Sequence, residues 1–311
     1  MDQTFLVEIW NFKQTKNGKY FIQMELRDRT GAIKAIRWDA TPELYSSCGV
    51  DDFLRIGGRV EEFQQHLQII VDELAKVIEE TVDLSDFLPH TGRNITEMQA
   101  SLRAIVEEVK SPPLRRLLTD FLEDPEVHSG LARCPAGKSL HHAYIGGLLE
   151  HVLSLANAAR RLAPNYPQLD GDLLVAGAVL HDIGKLRELS FARTFRYTDV
   201  GQLVGHIALG ITWVEEKARK IADFPYELLA HVQHIIASHH GLAEHGAVKP
   251  PMTPEAMAFH YLDDMDAKLA CLDSIRKVER LGGESDSHWS VWNPALGRRL
   301  FFPTRSGADG L

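Results

Sequence analysis

Val179-Leu180-His181-Asp182-Ile183-Gly184-Lys185 is the stretch that decides how this chain folds. An imidazole and a carboxylate stand side by side after an almost wholly apolar run, Leu173, Leu174, Val175, Ala176 and Ala178, so both polar groups enter the interior together. A buried carboxylate without a partner is costly or takes up a proton, whereas a divalent cation satisfies the acid and the imidazole at once. Taken alone, the pair reads first as a hydrogen-bonded His-Asp couple in a helical core, because structural pairs often mimic sites. The rest of the chain decides between the two.

Upstream, Tyr144, Leu148, His151, Leu155, Ala158 and Leu162 recur at helical spacing, which predicts an inward-facing His151. His141 and His142 would open that helix as entrance residues, and Glu150 would point to another, solvated face. Downstream, Leu203, His206, Gly210 and Trp213 share one stripe of the next predicted helix. Leu228, Leu229, Val232, Ile235 and Ile236 then predict a helix that runs into His239-His240 and stops at Gly241; His231 and His234 fall off its inward stripe. Thr253-Pro254 reads as N-cap and first residue of a helix carrying Asp263, Asp264 and Asp266. Five helices thus each offer a ligand-type side chain. A mixed imidazole and carboxylate set suits Mn, Fe, Co, Ni or Zn better than Mg or Ca.

That ordered series resembles the HD superfamily of metal-dependent phosphohydrolases, whose domains are all-helical. His151, His181, Asp182 and Asp263 match its H...HD...D signature, and Asp263-Asp264-Met265-Asp266-Ala267 is similar to its closing D-x-x-D-A, which favours Asp263 over its acidic neighbours. His206, His239 and His240 look like the extra histidines of two-metal members. By analogy, one ion would take His151, His181, Asp182 and Asp263, and a second would share Asp182 and use His206, His239 and His240. Such a pair would activate a water for attack on phosphorus. Lys185, one helical turn after His181, would offer a cation to a phosphoryl oxygen, making Asp182 and Lys185 the expected catalytic residues.

Composition narrows the class. A chain of 311 residues has room for two domains, and 44% hydrophobic with 25% charged residues is the balance of an ordinary globular protein. Cys48, Cys134 and Cys271 are odd in number and widely spaced, which argues against a disulfide framework or a zinc ribbon. Met1-Asp2-Gln3-Thr4 lacks a basic stretch leading to an apolar core, and the longest apolar run is too short to span a bilayer, so a cytoplasmic location is expected. The net charge of −9 argues against indiscriminate nucleic-acid binding, so the distribution of charge matters more than its sum.

Cations gather at the N-terminal end. Thr4 to Trp10, Tyr20 to Arg27 and Ala32 to Trp38 read as strands around the turn signals Lys16-Asn17-Gly18 and Thr30-Gly31. A short helix, Pro42 to Ser47, and strands from Phe53 to Phe63 and His66 to Val71 follow. Five strands with a helix after the third predict an OB-type barrel, and Leu26-Arg27-Asp28-Arg29-Thr30-Gly31, Ala35-Ile36-Arg37-Trp38-Asp39 and Ile56-Gly57-Gly58-Arg59-Val60 resemble OB-fold nucleic-acid-binding modules. Lys13, Lys16, Lys19, Arg27, Lys34 and Arg37, interleaved with Trp10, Phe12, Tyr20, Phe21 and Trp38, would supply cations for phosphates and platforms for bases; Tyr20 and Trp38 are the expected stacking residues. The alternative is that the aromatics are barrel core and the cations a solvated face.

The expected fold is therefore multidomain: a small OB-type β-barrel over 1–82, a linker and leading helices over 83–140, an all-α HD domain over 141–282 and a tail over 283–311. Thr96 to Lys110, ended by Pro112-Pro113, and Leu114 to Leu122 are the predicted leading helices. Gly137-Lys138-Ser139 is no phosphate loop, since Ala132 stands where that motif needs a glycine and no strand precedes it. Gly282 to Ser287 reads as a connector, Trp289, Trp292 and Leu296 as a docking strip, and Ser306 to Leu311 as disordered.

The pairing of these modules resembles the YhaM-type 3'-5' exoribonucleases, on Gly146-Gly147-Leu148-Leu149-Glu150-His151, His181-Asp182-Ile183-Gly184-Lys185, Ser238-His239-His240-Gly241 and Asp263-Asp264-Met265-Asp266-Ala267. The resemblance implies release of 5'-mononucleotides from the free 3' end of single-stranded RNA, with DNA as a second substrate, manganese as cofactor and no membrane partner; homo-oligomerisation is left open. Gly241-Leu242-Ala243-Glu244 stands where enzymes that split cyclic di-GMP show Gly-Tyr-Pro, which disfavours that variant. Two other readings stay open: a nucleotide or cyclic-nucleotide phosphohydrolase with a regulatory barrel, and a non-catalytic RNA-binding protein with a structural metal core.

Overall fold

The computed structural model describes residues 1–64, 66–78, 81–83, 86–137, 142–191, 195–281, 288–294 and 296–302. Expectations for His141, for the 282–287 connector and for the last residues from Ser306 lie outside them. The chain divides into two compact units, 1–90 with 190–196, and 91–189 with 197–311.

In the first unit, strands β1 (Asp2–Gln14), β2 (Tyr20–Asp28), β3 (Gly31–Trp38), β4 (Phe53–Phe63) and β5 (His66–Lys76) close a barrel in the order β1-β2-β3-β5-β4. Helix α1 (Pro42–Ser47) lies between β3 and β4 in the chain, and its N-cap Thr41 accepts from Leu44 N. Neighbouring strands are antiparallel except β3 and β5. Strand alternation sends Ile22, Met24 and Leu26 into a core with Phe5, Val7, Leu54, Ile56, Ile69 and Val71. Gly58 sits where β4 shifts register against β5; a Cβ there would lie 2.2 Å from the Ile70 carbonyl oxygen, so no larger residue fits the bulge. β1 continues past Trp10 to Gln14, because the ladder with β2 holds down to Gln14 opposite Tyr20. Trp10 belongs to the core, 6% exposed, with its indole N–H donated to the Tyr45 carbonyl at 3.0 Å.

The second unit is helical: α2 (Ile95–Glu107), α3 (Pro112–Leu122), α4 (Pro125–Arg133), α5 (Gly147–Leu162), α6 (Gly171–Leu180), α7 (Lys185–Glu188), α8 (Asp199–Ala218), α9 (Tyr226–Ser238) and α10 (Pro254–Leu281). Pro112 opens α3 after the N-cap Ser111 rather than merely ending the preceding helix, since a proline at the first turn gives up no hydrogen bond. α4 was not anticipated, although Asp124-Pro125 is a cap-and-proline start of the same kind and the Asp124 side chain accepts from Glu126 N. Beyond Asp172 in its first turn, α6 is apolar on every side and packs against α3, α5, α9 and α10, which is why it carries the decisive His-Asp pair into the middle of this unit. Among the described residues, no helix is long and apolar enough to cross a membrane.

Phe121 on α3 is fully buried, edge-on to Trp213 of α8 at 5.6 Å between ring centres. Phe121→Ala is expected to lower unfolding free energy by about 3–5 kcal/mol in denaturant titration. A loss below about 1 kcal/mol would mean that this contact is not part of the core.

Candidate metal centre

Five imidazoles converge because four different helices or helix ends carry them. His151 lies one turn into α5, His181 and Asp182 follow the last turn of α6, His206 resumes α8 after a break, His239 and His240 follow α9, and Asp263 and Asp266 share a face of α10. His151 Nε2 is 3.1 Å from Asp263 Oδ1 and 3.3 Å from His181 Nε2, and His181 Nε2 is 3.3 Å from Asp182 Oδ2. Asp182 Oδ1 faces the other way, towards His206 Nε2 at 3.5 Å and His239 Nε2 at 3.7 Å. The ligand atoms of His151, His181 and Asp263 lie within 4.8 Å of one another, and so do those of His206, His239 and His240. These two candidate metal-binding clusters have Asp182 between them; among the described residues a third group, His142, His151 and Asp266, overlaps the first through His151.

The ring tautomers are ordered by what stands behind each ring. His181 Nδ1 donates to the carbonyls of Gly177 and Ala178 at 3.2 Å, His239 Nδ1 to that of Ile236 at 2.8 Å and His240 Nδ1 to that of His245 at 2.8 Å. His151 and His206 use carboxylates instead: Asp266 Oδ2 at 2.7 Å and Glu188 Oε1 at 3.1 Å. In every case Nδ1 carries the proton, which turns the Nε2 lone pair inward as a ligating histidine requires. Asp182 Oδ1, His206 Nε2 and His239 Nε2 are buried atoms with no hydrogen-bond partner. Three such orphans aimed at one spot are what a cation fits.

The electrostatics favour charge separation inside this pocket. Burial opposes ionisation of Asp182, but Lys185, His181 and His206 hold its carboxyl well below the usual carboxylate range. Asp263 is depressed likewise against burial, through its hydrogen bond to His151 and the charges of His181 and His151. Burial works against a charged His151 too, yet its bonds to Asp263 and Asp266 lift it to about 9, so a proton sits where a cation would neutralise the same acids. His239 and His240 go the other way, pushed down by burial first and then by neighbouring imidazoles.

Several expectations change here. Leu203 and His206 do not share a stripe, because Gly205 breaks the helix at φ 75, ψ 155, a conformation open essentially to glycine alone; Leu203 is 85% exposed while His206 turns inward. His142 does not open α5, which begins at Gly147; it holds φ 46 in the preceding turn, with Nε2 3.3 Å from Asp266 Oδ2. Glu150 is half-buried rather than solvated, accepting from Thr91 Oγ1 at 2.6 Å and Tyr144 OH at 3.1 Å. His231 is exposed, while His234 is half-buried and accepts from Met252 N. Lys185 spends its ammonium on Asp182 Oδ2 and the Ala136 carbonyl, both at 2.6 Å. Asp264 pairs with Lys268 at 2.6 Å on the outside of α10. Glu188 was not anticipated at all: it lies only six residues after Asp182, but the backbone around Gly205 decides its partner, and no spacing rule reveals that.

In the barrel, the ladder sorts the eight predicted nucleic-acid residues. Lys13 pairs with Phe21 and Phe21 with Trp38, a row across three strands whose last two rings lie 5.1 Å apart; Lys34 and Arg27 share this outward parity. Tyr20 and Arg37 have the opposite parity. Tyr20 stacks on Phe12 at 4.9 Å, and Arg37 donates to the carbonyls of Val71 and Asp72. Arg27 is paired with Glu8 and Lys19 with Asp39, while Lys16 sits in the exposed β1–β2 turn. Phe21, not Tyr20, is thus the ring beside Trp38.

Comparison with known proteins agrees with both halves. The HD domain family model matches residues 148–268, and that of an OB-fold nucleic-acid-binding domain of the tRNA anticodon type matches residues 4–77. The 3'-5' exoribonuclease YhaM of Bacillus velezensis is 34% identical over 90% of this chain and 88% of its own length. That of Bacillus subtilis is 35% identical over the same shares. An OB barrel, an HD helical domain and this extent of shared sequence together place the chain in the YhaM 3'-5' exoribonuclease family.

Proposed function

We propose that this protein is a divalent-metal-dependent exonuclease that shortens single-stranded RNA from its free 3' end to 5'-mononucleotides, with DNA as a second substrate, in the cytoplasm. The observation that carries this reading is the trio of orphaned ligand atoms around Asp182, set between two histidine clusters. His151, His181, Asp182 and Asp263 would hold one ion, and Asp182, His206, His239 and His240 a second; manganese suits this mixed nitrogen and oxygen set. When bound, such a pair supplies Lewis acidity that lowers the pKa of water and offsets charge on phosphoryl oxygens. The protein's own contribution is to keep Asp182 ionised, through Lys185 above all, and to anchor each Nδ1 proton on a fixed acceptor so that Nε2 faces the site. Lys185 acts first through Asp182, its ammonium lying 2.6 Å from Asp182 Oδ2 and from the Ala136 carbonyl.

The outward row of Lys13, Phe21 and Trp38, with Lys34 and Lys16, would hold the strand: cations for phosphates, rings for bases. Reversing Lys13, Lys16 and Lys34 to Glu is expected to raise KM for a long strand by about tenfold or more at fixed salt while leaving a dinucleotide substrate unchanged. Equal effects on both substrates would remove the barrel from substrate capture. Digestion of a 5'-labelled strand tests the reading as a whole: a ladder of shortening labelled products is expected, and release of phosphate from free nucleotides without any shortening would favour a small-molecule phosphohydrolase.

A further inference from the structure

Among the five inward-facing histidines, His206 is the one whose helix has just been interrupted. His181 and His239 anchor their Nδ1 protons on carbonyls of their own preceding turn, Gly177 and Ala178 for one and Ile236 for the other. His206 Nδ1 meets the Glu188 carboxylate instead, and Gly205 at φ 75, ψ 155 breaks the helix just before it. A helix that restarts also leaves its first N–H groups without intrahelical acceptors. Glu188, at the end of α7, meets both needs with one oxygen: its Oε1 accepts the His206 backbone N–H at 3.0 Å and the His206 Nδ1 proton at 3.1 Å. Its backbone is held in register from α8, with Thr198 N donating to the Glu188 carbonyl at 2.9 Å. Gly201 packs so close that a Cβ there would lie 2.2 Å from the same carbonyl oxygen.

Under the two-ion reading of the site, on which this role depends, we propose that Glu188 is the positioning residue of the second ion: its carboxylate caps the helix that restarts at His206 and fixes the ring so that Nε2 faces Asp182 Oδ1. The first cluster has the matching device, with Asp266 Oδ2 behind His151 Nδ1 at 2.7 Å. Each cluster then contains one histidine backed by a full negative charge, which makes that imidazole a stronger donor than one backed by a carbonyl. A carboxylate at a helix start is also favoured by the helix dipole. Glu188 is 8% exposed, and its carboxylate meets the ligand set through His206.

The test is a manganese titration of the full-length metal-free protein by calorimetry, with thermal denaturation of the same samples, for wild type, Glu188→Gln, Glu188→Ala and His206→Ala. Glu188→Gln keeps an acceptor for the cap and removes the charge. The expected result is an unchanged first binding event and a second one weakened by about 10- to 100-fold in Glu188→Gln, more in Glu188→Ala, with the metal-free melting temperature of Glu188→Gln close to wild type. Wild-type affinity for the second ion in both Glu188 variants overturns the assignment. So does equal weakening of both ions, or a Glu188→Gln protein that melts as early as Glu188→Ala, since either would make Glu188 a structural residue only. A single binding event in wild type that survives His206→Ala would instead refute the two-ion reading itself, and the role of Glu188 with it.

Discussion

Asp182→Asn is expected to lower kcat for RNA shortening by at least about a thousandfold, roughly 4 kcal/mol of transition-state stabilisation, while leaving affinity for a single strand near wild type. Asp182 is where both clusters meet: Oδ2 faces His181 and Lys185, and Oδ1 faces His206 and His239. Neutralising it removes the shared acid from both candidate ion positions. The same change strands the buried Lys185 ammonium, whose charge is favoured, against burial, chiefly by Asp182. Breaking one side of a buried ion pair costs about 3–5 kcal/mol, so loss of activity could be confused with loss of fold. The double variant Asp182→Asn with Lys185→Met separates them. Removing both charges is expected to recover most of the stability lost in the single variant, yet none of the hydrolysis. Hydrolysis that returns with stability would show Asp182 to be a structural acid only.

The second large effect is expected at Gly184, in the motif itself. Its φ of −63 suits any residue, so the need for glycine is one of space. A Cβ there would lie 2.0 Å from the His206 carbonyl oxygen and 2.7 Å from the Gly210 nitrogen, both backbone atoms of α8 that cannot swing aside. Gly184→Ala must therefore push α8 away. We expect a loss of about 2–3 kcal/mol in stability. The ligand set of His206, His239 and His240 should come apart, while His151, His181 and Asp263, which do not lie on α8, still capture one ion. Full stability with both ions bound would mean that α8 does not rest on the motif.

Much of this arrangement was legible because the signals were local. Turn residues such as Asn17-Gly18 bracket the strands, and Thr253-Pro254 marks the start of α10. An apolar run ending in His181-Asp182 has few ways to fold except inward. What escaped depends on backbone events that periodicity does not report. The stripe through Leu203 and His206 assumed one unbroken helix, and a single glycine conformation at position 205 cancelled it. Glu150 and Glu188 are both acids near ligands, and a charge reads as solvated until its partners, Thr91 and Tyr144 for one and His206 for the other, are brought in by the fold. In the barrel the basic and aromatic residues were visible as a group, but strand parity, fixed only once the β1–β2–β3 register is known, parts Trp38 and Phe21 from Tyr20 and Arg37.

The most direct test counts manganese on the protein while hydrolysis of a labelled single strand is followed during loading of the metal-free form. The expected result is no cleavage without metal, cleavage that appears as ions bind, and about two ions per chain at full rate. Cleavage at the wild-type rate by protein stripped of all divalent metal would contradict it.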